Sequence, residues 1–189
     1  MKYFIDFEAT QFAGEIISIG CVREDGETFY SLIKPSKSKV TSLITDLTGI
    51  TSEALETAPT ADSIFEEFYD WLLTDKNGIP DFFAWGHEDV DFLRHTFNKT
   101  TSLKARIAMG YITGSICDYS KKFCKKLKIK SCSLIAAYRA LIKSNAKQNH
   151  NSLEDAKMLA KVYQCAETTH ITKLRENCAN LIKKKESKK

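Results

Sequence analysis

The chain lacks any run of about eighteen apolar residues, the length that indicates a membrane-spanning helix. Its first residues show no cationic start, apolar stretch and small-residue cleavage site, so no secretory signal peptide is indicated. Internal repeats and low-complexity segments are also missing. Without these features, a membrane-spanning, secreted or repeat protein is not predicted, and we expect a soluble, cytoplasmic protein.

Cysteine pairs of the C-x-x-C type are absent too, although the chain has six cysteines. This spacing marks zinc ribbons and redox motifs, so the sequence supports neither class. Reduced and mostly buried thiols are the simpler interpretation for a cytoplasmic protein. What is present is a 189-residue chain with 43% apolar and 28% charged residues, enough for one domain with a substantial core.

Charge is distributed unevenly along the chain, although the net charge is only +4. Residues 1–100 hold 8 Lys and Arg against 18 Asp and Glu, a net of −10, whereas residues 101–189 hold 20 against 6, a net of +14. An acidic half with metal ligands beside a basic half suits an enzyme that acts on polyanions. Basic residues that only solubilise exposed helices are the alternative.

The opening segment, 3–10, places two carboxylates two residues apart in an otherwise apolar and aromatic strand pattern. Residues i and i+2 of a strand share a face, so Asp6 and Glu8 project together while Ile5 and Phe7 face the other way. Unpaired buried carboxylates cost several kcal/mol or become protonated, and a bound metal keeps them ionised. The pattern indicates a divalent-metal site, with a solvated strand edge as the alternative.

Hydrophobic periodicity and turn signals predict a mixed sheet flanked by helices. Strands are expected over about 2–8, 15–23, 27–34, 82–85 and 111–117. Helices are expected over about 41–47, 64–72, 90–97, 118–127, 133–142, 151–163 and 168–183. Such a sheet presents ligands at the carboxyl ends of its strands, which is where Asp6 and Glu8 lie in the first strand.

Two further groups of acids could complete a metal site. After the fourth predicted strand, Glu88, Asp89 and Asp91 fit an acidic first helical turn equally well, so residue physics does not choose among them. Before the long helix, Asp155 fits both a metal ligand and an N-terminal capping box. His150 by itself is typical of a surface loop.

Four short motifs follow one another along the chain at plausible spacing. They are Asp6-Phe7-Glu8-Ala9-Thr10, Leu47-Thr48-Gly49-Ile50-Thr51, Trp85-Gly86-x-x-Asp89 and His150-x4-Asp155. Together they resemble the DEDDh exonucleases, the DnaQ-like members of the ribonuclease H-like superfamily, over about residues 2–165. The first and third motifs are most similar to the branch with the KapD sporulation inhibitor and the histone-messenger exonucleases. The Trp-Gly spacing selects Asp89.

The resemblance implies an α/β, ribonuclease H-like fold with a mixed five-stranded β-sheet flanked by α-helices. It implies an exonuclease domain over residues 1–167, followed by a C-terminal helix and basic tail over 168–189. The implied activity is metal-dependent 3′-5′ hydrolysis of single-stranded RNA or DNA to nucleoside 5′-monophosphates. A polymerase-associated proofreading subunit and a catalytically idle nucleic-acid-binding module are the alternatives, and the complete set of motif residues argues against an idle module.

The resemblance also implies a two-metal mechanism, with two Mg²⁺ or Mn²⁺ ions roughly 3.5–4 Å apart. Hard oxygen ligands suit such ions. By position, Asp6, Glu8 and Asp155 hold the water-activating ion, and Asp6 bridges to a second ion near Asp89. His150 takes the proton from the attacking water, a task for a group that titrates near neutral pH.

Contacts to the terminal nucleotide are implied by the turn after Glu8 and by the Leu-Thr-Gly-Ile segment, with ordinary packing as the alternative. The candidates are Ala9, Thr10, Leu47 and Ile50. Phe12 could stack on or wedge against a base, or belong to the core. The lysine run within 121–130 and the tail from Lys183 could guide the phosphate backbone, or form a solvated helix face and a disordered end.

Overall fold

The computed structural model of the protein describes residues 1–12, 14–37, 39–76 and 78–186. Its centre is a five-stranded sheet in the order β3-β2-β1-β4-β5. The strands are β1 (Lys2–Ala9), β2 (Ile16–Arg23), β3 (Thr28–Leu32), β4 (Asp81–Ala84) and β5 (Cys117–Asp118). The first three strands pair in antiparallel fashion, and β4 pairs in parallel with both β1 and β5. The predicted mixed five-stranded sheet is confirmed.

Helices cover both faces of this sheet. They are α1 (Ser42–Thr48), α2 (Ser52–Glu56), α3 (Ala61–Leu73), α4 (Glu88–Phe97), α5 (Leu103–Ser115), α6 (Tyr119–Leu127), α7 (Leu134–Leu141), α8 (Ser152–Thr168), α9 (Ile171–Asn177) and α10 (Ala179–Glu186). No helix among the described residues is both long and apolar enough to cross a membrane.

The alternation of side chains along β1 divides the core into two layers. Ile5 and Phe7 pack on one face, in a cluster with α3 and α5. Phe4 packs on the opposite face, in a cluster with α6, α7 and α8. Asp6 and Glu8 line one cavity together with Asp155 of α8, so both project on the α8 side, the face of Phe4. The predicted common orientation of the two acids is confirmed.

Helix starts follow from capping side chains that accept a hydrogen bond from the first turn. The capping residues are Thr41, Thr51, Thr60, Ser102, Asp118, Ser133, Asn151 and His170. Asp118 caps α6, as its sequence position predicts. Helix α1 ends at Gly49, whose φ of 74° lies in the left-handed region that glycine tolerates, as also predicted.

The predicted strand over 111–117 is wrong for most of its length. Residues up to Ser115 belong to α5, and only Cys117 and Asp118 form β5. Aromatic and β-branched residues in this segment favour a strand locally, but α5 packs on α3, and this tertiary contact outweighs local propensity. The buried residues of α5 recur at helical spacing and are Ala105, Ala108, Met109 and Ile112.

Four smaller differences concern the helices and their boundaries. Helix α2 and the first part of α5 were not predicted. Helix α8 continues to Thr168, beyond its predicted end, because Val162 and Ala166 extend its buried face. The predicted helical segment at 168–183 is two helices, α9 and α10, and Leu174 packs α9 into the core layer of α8. The last part of the predicted basic tail, 187–189, lies outside the described residues.

Candidate metal centre and active-site cleft

The five residues predicted for catalysis line one cleft of about 680 Å³ at the carboxyl end of β1. They are Asp6, Glu8, Asp89, His150 and Asp155. Helix α1 contributes Ile44 and Leu47 to one wall, and residues 132–134 before and at the start of α7 contribute to another. The indole Nε1 of Trp85 donates to the backbone oxygen of Cys132, in the wall formed by residues 132–134, at 3.0 Å. Distant parts of the chain thus supply one site.

Helix α8 reaches this cleft because its first turn lies directly on β2. A Cβ atom on Gly20 would lie 2.2 Å from the backbone N of Leu153 and from the backbone C of Ser152. Only glycine allows such a close approach at this position. The buried hydroxyls of Ser18 and Ser152 also form a hydrogen bond with each other. This contact brings Asp155, in the first turn of α8, next to Glu8 on β1.

Asp89 reaches the cleft from the first turn of α4, which follows β4 through Gly86. The φ of Gly86 is 132°, a conformation that side chains other than glycine rarely adopt. Asp89 is buried, whereas Glu88 is exposed at the cleft rim and Asp91 is exposed and paired with Arg94 at 2.7 Å. Burial therefore distinguishes three acids that residue physics left equivalent.

The carboxyl groups of the cleft resist ionisation. Burial, reinforced by the charges of Asp89, Asp155 and Glu8, raises the pKa of Asp6 well above its ordinary value. Burial, reinforced by the charges of Asp155 and Asp89, raises the pKa of Glu8 to about 8. Burial raises the pKa of Asp89 to about 7, although backbone amides oppose the shift. Burial also raises the pKa of Asp155, opposed by a hydrogen bond from Gln148. A cation would favour the ionised forms of all four.

The donor set fits a divalent metal ion. One ligand atom each from Glu8, His150 and Asp155 lies within 4.8 Å of the other two. Oδ1 of Asp155 is buried and has no hydrogen-bond partner among the described residues, although a buried charged oxygen without a partner is costly. Carboxylate oxygens are the ligands that Mg²⁺ and Mn²⁺ prefer. The residues present therefore match the chemistry of such ions.

His150 has a backbone φ of 48°, in the left-handed region that non-glycine residues rarely adopt. Its ring lies beside Glu8 and Asp155 rather than on an open surface loop. Strained backbone of this kind persists where surrounding contacts hold it, and it is frequent at functional sites. An imidazole here can bind a metal or accept a proton from a nearby water.

Only two of the five residues predicted to contact a nucleotide line the cleft. Ala9 and Leu47 line the cleft, and Thr10, Phe12 and Ile50 do not. Thr10 is buried, and its hydroxyl accepts from the backbone N of Glu15 at 3.1 Å. Ile50 is buried in a small cluster with β2 and α2. Phe12 is 86% exposed, so its alternative placement in the core is wrong. Nucleotide contact stays a prediction for all five.

Several cleft residues had no signal in the sequence. The additional lining residues include Ile44, Phe92, Ser120, Cys132, Ser133, Leu134 and Gln148. None belongs to a motif, and most come from elements whose relative placement only the fold determines.

A comparison with protein-family models matches residues 3–163 to the RNase_T model, described as exonuclease. The match covers most of the chain and includes all five cleft residues predicted for catalysis. A search of curated proteins finds no match.

Solved structures share the fold at low sequence identity. A 3′-exonuclease that recognises the 3′ end of a histone mRNA stem-loop has a TM-score of 0.73 and 19% identity, over 94% of this chain and 64% of that one. A full-length 3′-exonuclease has a TM-score of 0.69 and 20% identity, over 94% of this chain and 61% of that one. The chain therefore spans less than two thirds of these two relatives.

A third structure, the nuclease domain of 3′hExo, a DEDDh family member bound to rAMP, is matched over 94% of this chain and 92% of that one. Its TM-score is 0.67 at 20% identity. The fold likeness agrees with the family match and with the four acids and one histidine that share the cleft. The chain belongs to the RNase_T family, described as exonuclease.

Proposed function

We propose that the protein is a divalent-metal-dependent exonuclease that degrades single-stranded RNA or DNA in the 3′-5′ direction and releases nucleoside 5′-monophosphates. The observation that carries the proposal is the convergence of four carboxyl groups and one imidazole in a single cleft. Membership of an exonuclease family supports phosphodiester hydrolysis as the reaction. The 3′ direction is supported by structural neighbours described as 3′-exonucleases.

The proposed cofactors are two Mg²⁺ or Mn²⁺ ions. Asp6, Glu8 and Asp155 would hold one ion, and Asp6 and Asp89 would hold the other. When bound, such ions stabilise negative charge on the phosphate and lower the pKa of a water molecule. The raised pKa values of the four acids and the unpartnered Oδ1 of Asp155 support this assignment, because both describe a site that lacks positive charge.

The side chains of the cleft perform the remaining steps. The ring of His150 lies beside Glu8 and Asp155, so a ring nitrogen accepts the proton of the attacking water. Leu47 and Ala9 line the cleft and would contact the terminal nucleotide through apolar surface. The single-stranded 3′ end of a nucleic acid is the proposed partner, and a proofreading role would require a polymerase that no observation on the described residues indicates.

The test uses single-stranded RNA and DNA oligonucleotides of one sequence, each labelled at the 5′ end. With Mn²⁺ or Mg²⁺ the wild-type protein should produce a ladder of products shortened from the 3′ end, and EDTA should abolish it. Asp89→Asn should lose activity by on the order of 100-fold or more, since one ligand is removed. Asp91→Asn, an exposed acid of the same helix outside the cleft, is the matched control.

Loss of activity in both variants, or in neither, would contradict the assignment of Asp89. Products shortened from the 5′ end would contradict the proposed direction.

A further inference from the structure

Gln148 lies in the loop before α8 and contacts a proposed metal ligand. Its side-chain Nε2 donates to Oδ2 of Asp155 at 2.6 Å, and both residues line the cleft. Oδ1 of Asp155 has no hydrogen-bond partner among the described residues. The chain thus holds one carboxylate oxygen of Asp155 and leaves the other for a ligand.

This division of the two oxygens has a physical use. A carboxylate held by no donor can rotate about its terminal torsion, which is broad in aspartate. A hydrogen bond to one oxygen fixes the plane of the group and the direction of the other oxygen. Metal-binding carboxylates are commonly fixed in this way by a neighbouring residue, and loss of that residue weakens metal affinity or activity.

The same hydrogen bond anchors the segment that carries His150. Arg139 of α7 donates from Nε to the backbone oxygen of Ala146 in this loop at 2.8 Å. Two residues later, Gln148 is bound to Asp155. His150 follows with its left-handed backbone. One end of the strained segment is therefore tied to the metal ligand itself.

We propose that Gln148 is a positioning residue, whose amide orients Asp155 for metal binding and holds the His150 segment at the cleft. Gln148 acts through Asp155, to which its amide nitrogen donates. The inference rests on the proposed function, because it takes Asp155 as a metal ligand.

The test is calorimetric titration of the nucleotide-free protein with Mn²⁺ alone. Gln148→Ala should weaken Mn²⁺ binding by about 10-fold to 100-fold. Gln148→Met keeps the length of the side chain but removes the hydrogen-bond donor, so it should weaken Mn²⁺ binding as much as Gln148→Ala does. Lys147→Ala, an exposed neighbour in the same loop that does not line the cleft, should bind Mn²⁺ like the wild type. Thermal unfolding in EDTA establishes that each variant is folded.

A second readout separates positioning from general damage. The Mn²⁺ concentration for half-maximal cleavage should rise by the same factor in Gln148→Met, while the KM for the oligonucleotide at saturating Mn²⁺ stays at the wild-type value. Wild-type Mn²⁺ affinity in folded Gln148→Met would overturn the role of Gln148 and leave the proposed function standing. A wild-type protein that binds no Mn²⁺ would instead overturn the proposed function.

Discussion

At the residue scale, the cleft combines side chains that oppose one another in the absence of a cation. Four carboxyl groups share the cleft, Asp89 and Asp155 are buried, and each of the four has a raised pKa. Such an arrangement lowers the stability of the folded chain, a pattern expected where residues are selected for function rather than for packing. Replacement of one acid by its amide should therefore stabilise the metal-free protein.

Glu8 gives this prediction a pH dependence. Its pKa is about 8 in the folded chain against an ordinary value of 4.5. Because the folded state binds this proton more tightly than the unfolded state, the contribution of Glu8 to stability is full below 4.5 and is lost as pH rises through about 8. In EDTA at about pH 8.5, Glu8→Gln should raise the Tm by about 2–4 °C, the shift for about 1 kcal/mol in a chain of this length.

The difference in Tm should shrink toward about pH 5, where wild-type Glu8 is protonated. Added Mn²⁺ should stabilise the wild type more than Glu8→Gln. Glu27 is an exposed acid on the β2–β3 hairpin, so Glu27→Gln provides the control. It should not raise the Tm at high pH, and Mn²⁺ should stabilise it as much as the wild type. A Glu8→Gln variant less stable than the wild type at high pH would contradict the account.

The sequence predicted the acids of the site better than the residues that support them. Asp6 and Glu8 follow from strand alternation, and motif spacing identified Asp89 and Asp155. Gln148 could not be predicted, since its role depends on where a polar loop lies relative to α8. Supporting contacts of this kind carry no local pattern in a single sequence.

At the element scale, the site depends on how α8 lies on the sheet. The close contact at Gly20 lets the first turn of α8 touch β2, and Asp155 lies within that turn. A methyl group at this position would meet backbone atoms, which cannot move aside as a flexible side chain can. The position of Asp155 in the cleft is therefore linked to the packing of one helix on one strand.

Gly20→Ala should displace the start of α8. We expect a loss of about 1–3 kcal/mol in the free energy of unfolding, the usual cost of overpacking. Cleavage should fall further, by on the order of 100-fold, because a displacement of about 1 Å in a catalytic group has such an effect. Chemical denaturation and cleavage assays measure the two effects.

Gly110→Ala is the matched control for this variant. Gly110 lies within α5, and a Cβ there would meet no atom within 4 Å. Alanine should stabilise α5 by about 0.5–1 kcal/mol and leave cleavage unchanged. An equal loss of cleavage in both variants would contradict a specific role for the contact at Gly20.

Helices and strands were predicted correctly where the local propensity of a segment and its packing in the fold favour the same structure. Strands β1 and β2 are largely apolar runs of strand length, and helix α3 shows clear helical periodicity. Asp118 and Gly49 mark helix boundaries by their own chemistry. The segment 111–117 failed because its local propensity is opposed by packing on α3. Such conflicts are resolved only by contacts between distant parts of the chain.

At the scale of the whole molecule, the uneven charge matches the position of the cleft. Three of its four acids come from the acidic half, and one wall comes from the basic half, where α6 and the segment before α7 lie. Lys125 and Lys130 are exposed in this region, close in sequence to residues that line the cleft. An extended polyanion that enters the cleft could lie along this wall.

The double variant Lys125→Gln/Lys130→Gln should therefore weaken substrate binding. The KM for single-stranded oligonucleotides should rise with kcat unchanged, because these residues do not contact the reacting atoms. The slope of log kcat/KM against log salt should become less negative by roughly 0.7 for each phosphate that a lysine no longer neutralises. Lys76→Gln/Lys161→Gln, two exposed lysines outside the cleft, is the control. Equal salt slopes in both double variants would support a merely solvated lysine face.

The proposed activity of the whole molecule is the removal of nucleotides from a 3′ end by a cleft that uses divalent metal ions. Mass spectrometry of the mononucleotides released from an unlabelled single-stranded oligonucleotide tests it most directly. With Mn²⁺ we expect nucleoside 5′-monophosphates, released in the order of the sequence read from its 3′ end. With EDTA we expect none. Nucleoside 3′-monophosphates, or release that continues in EDTA, would contradict it.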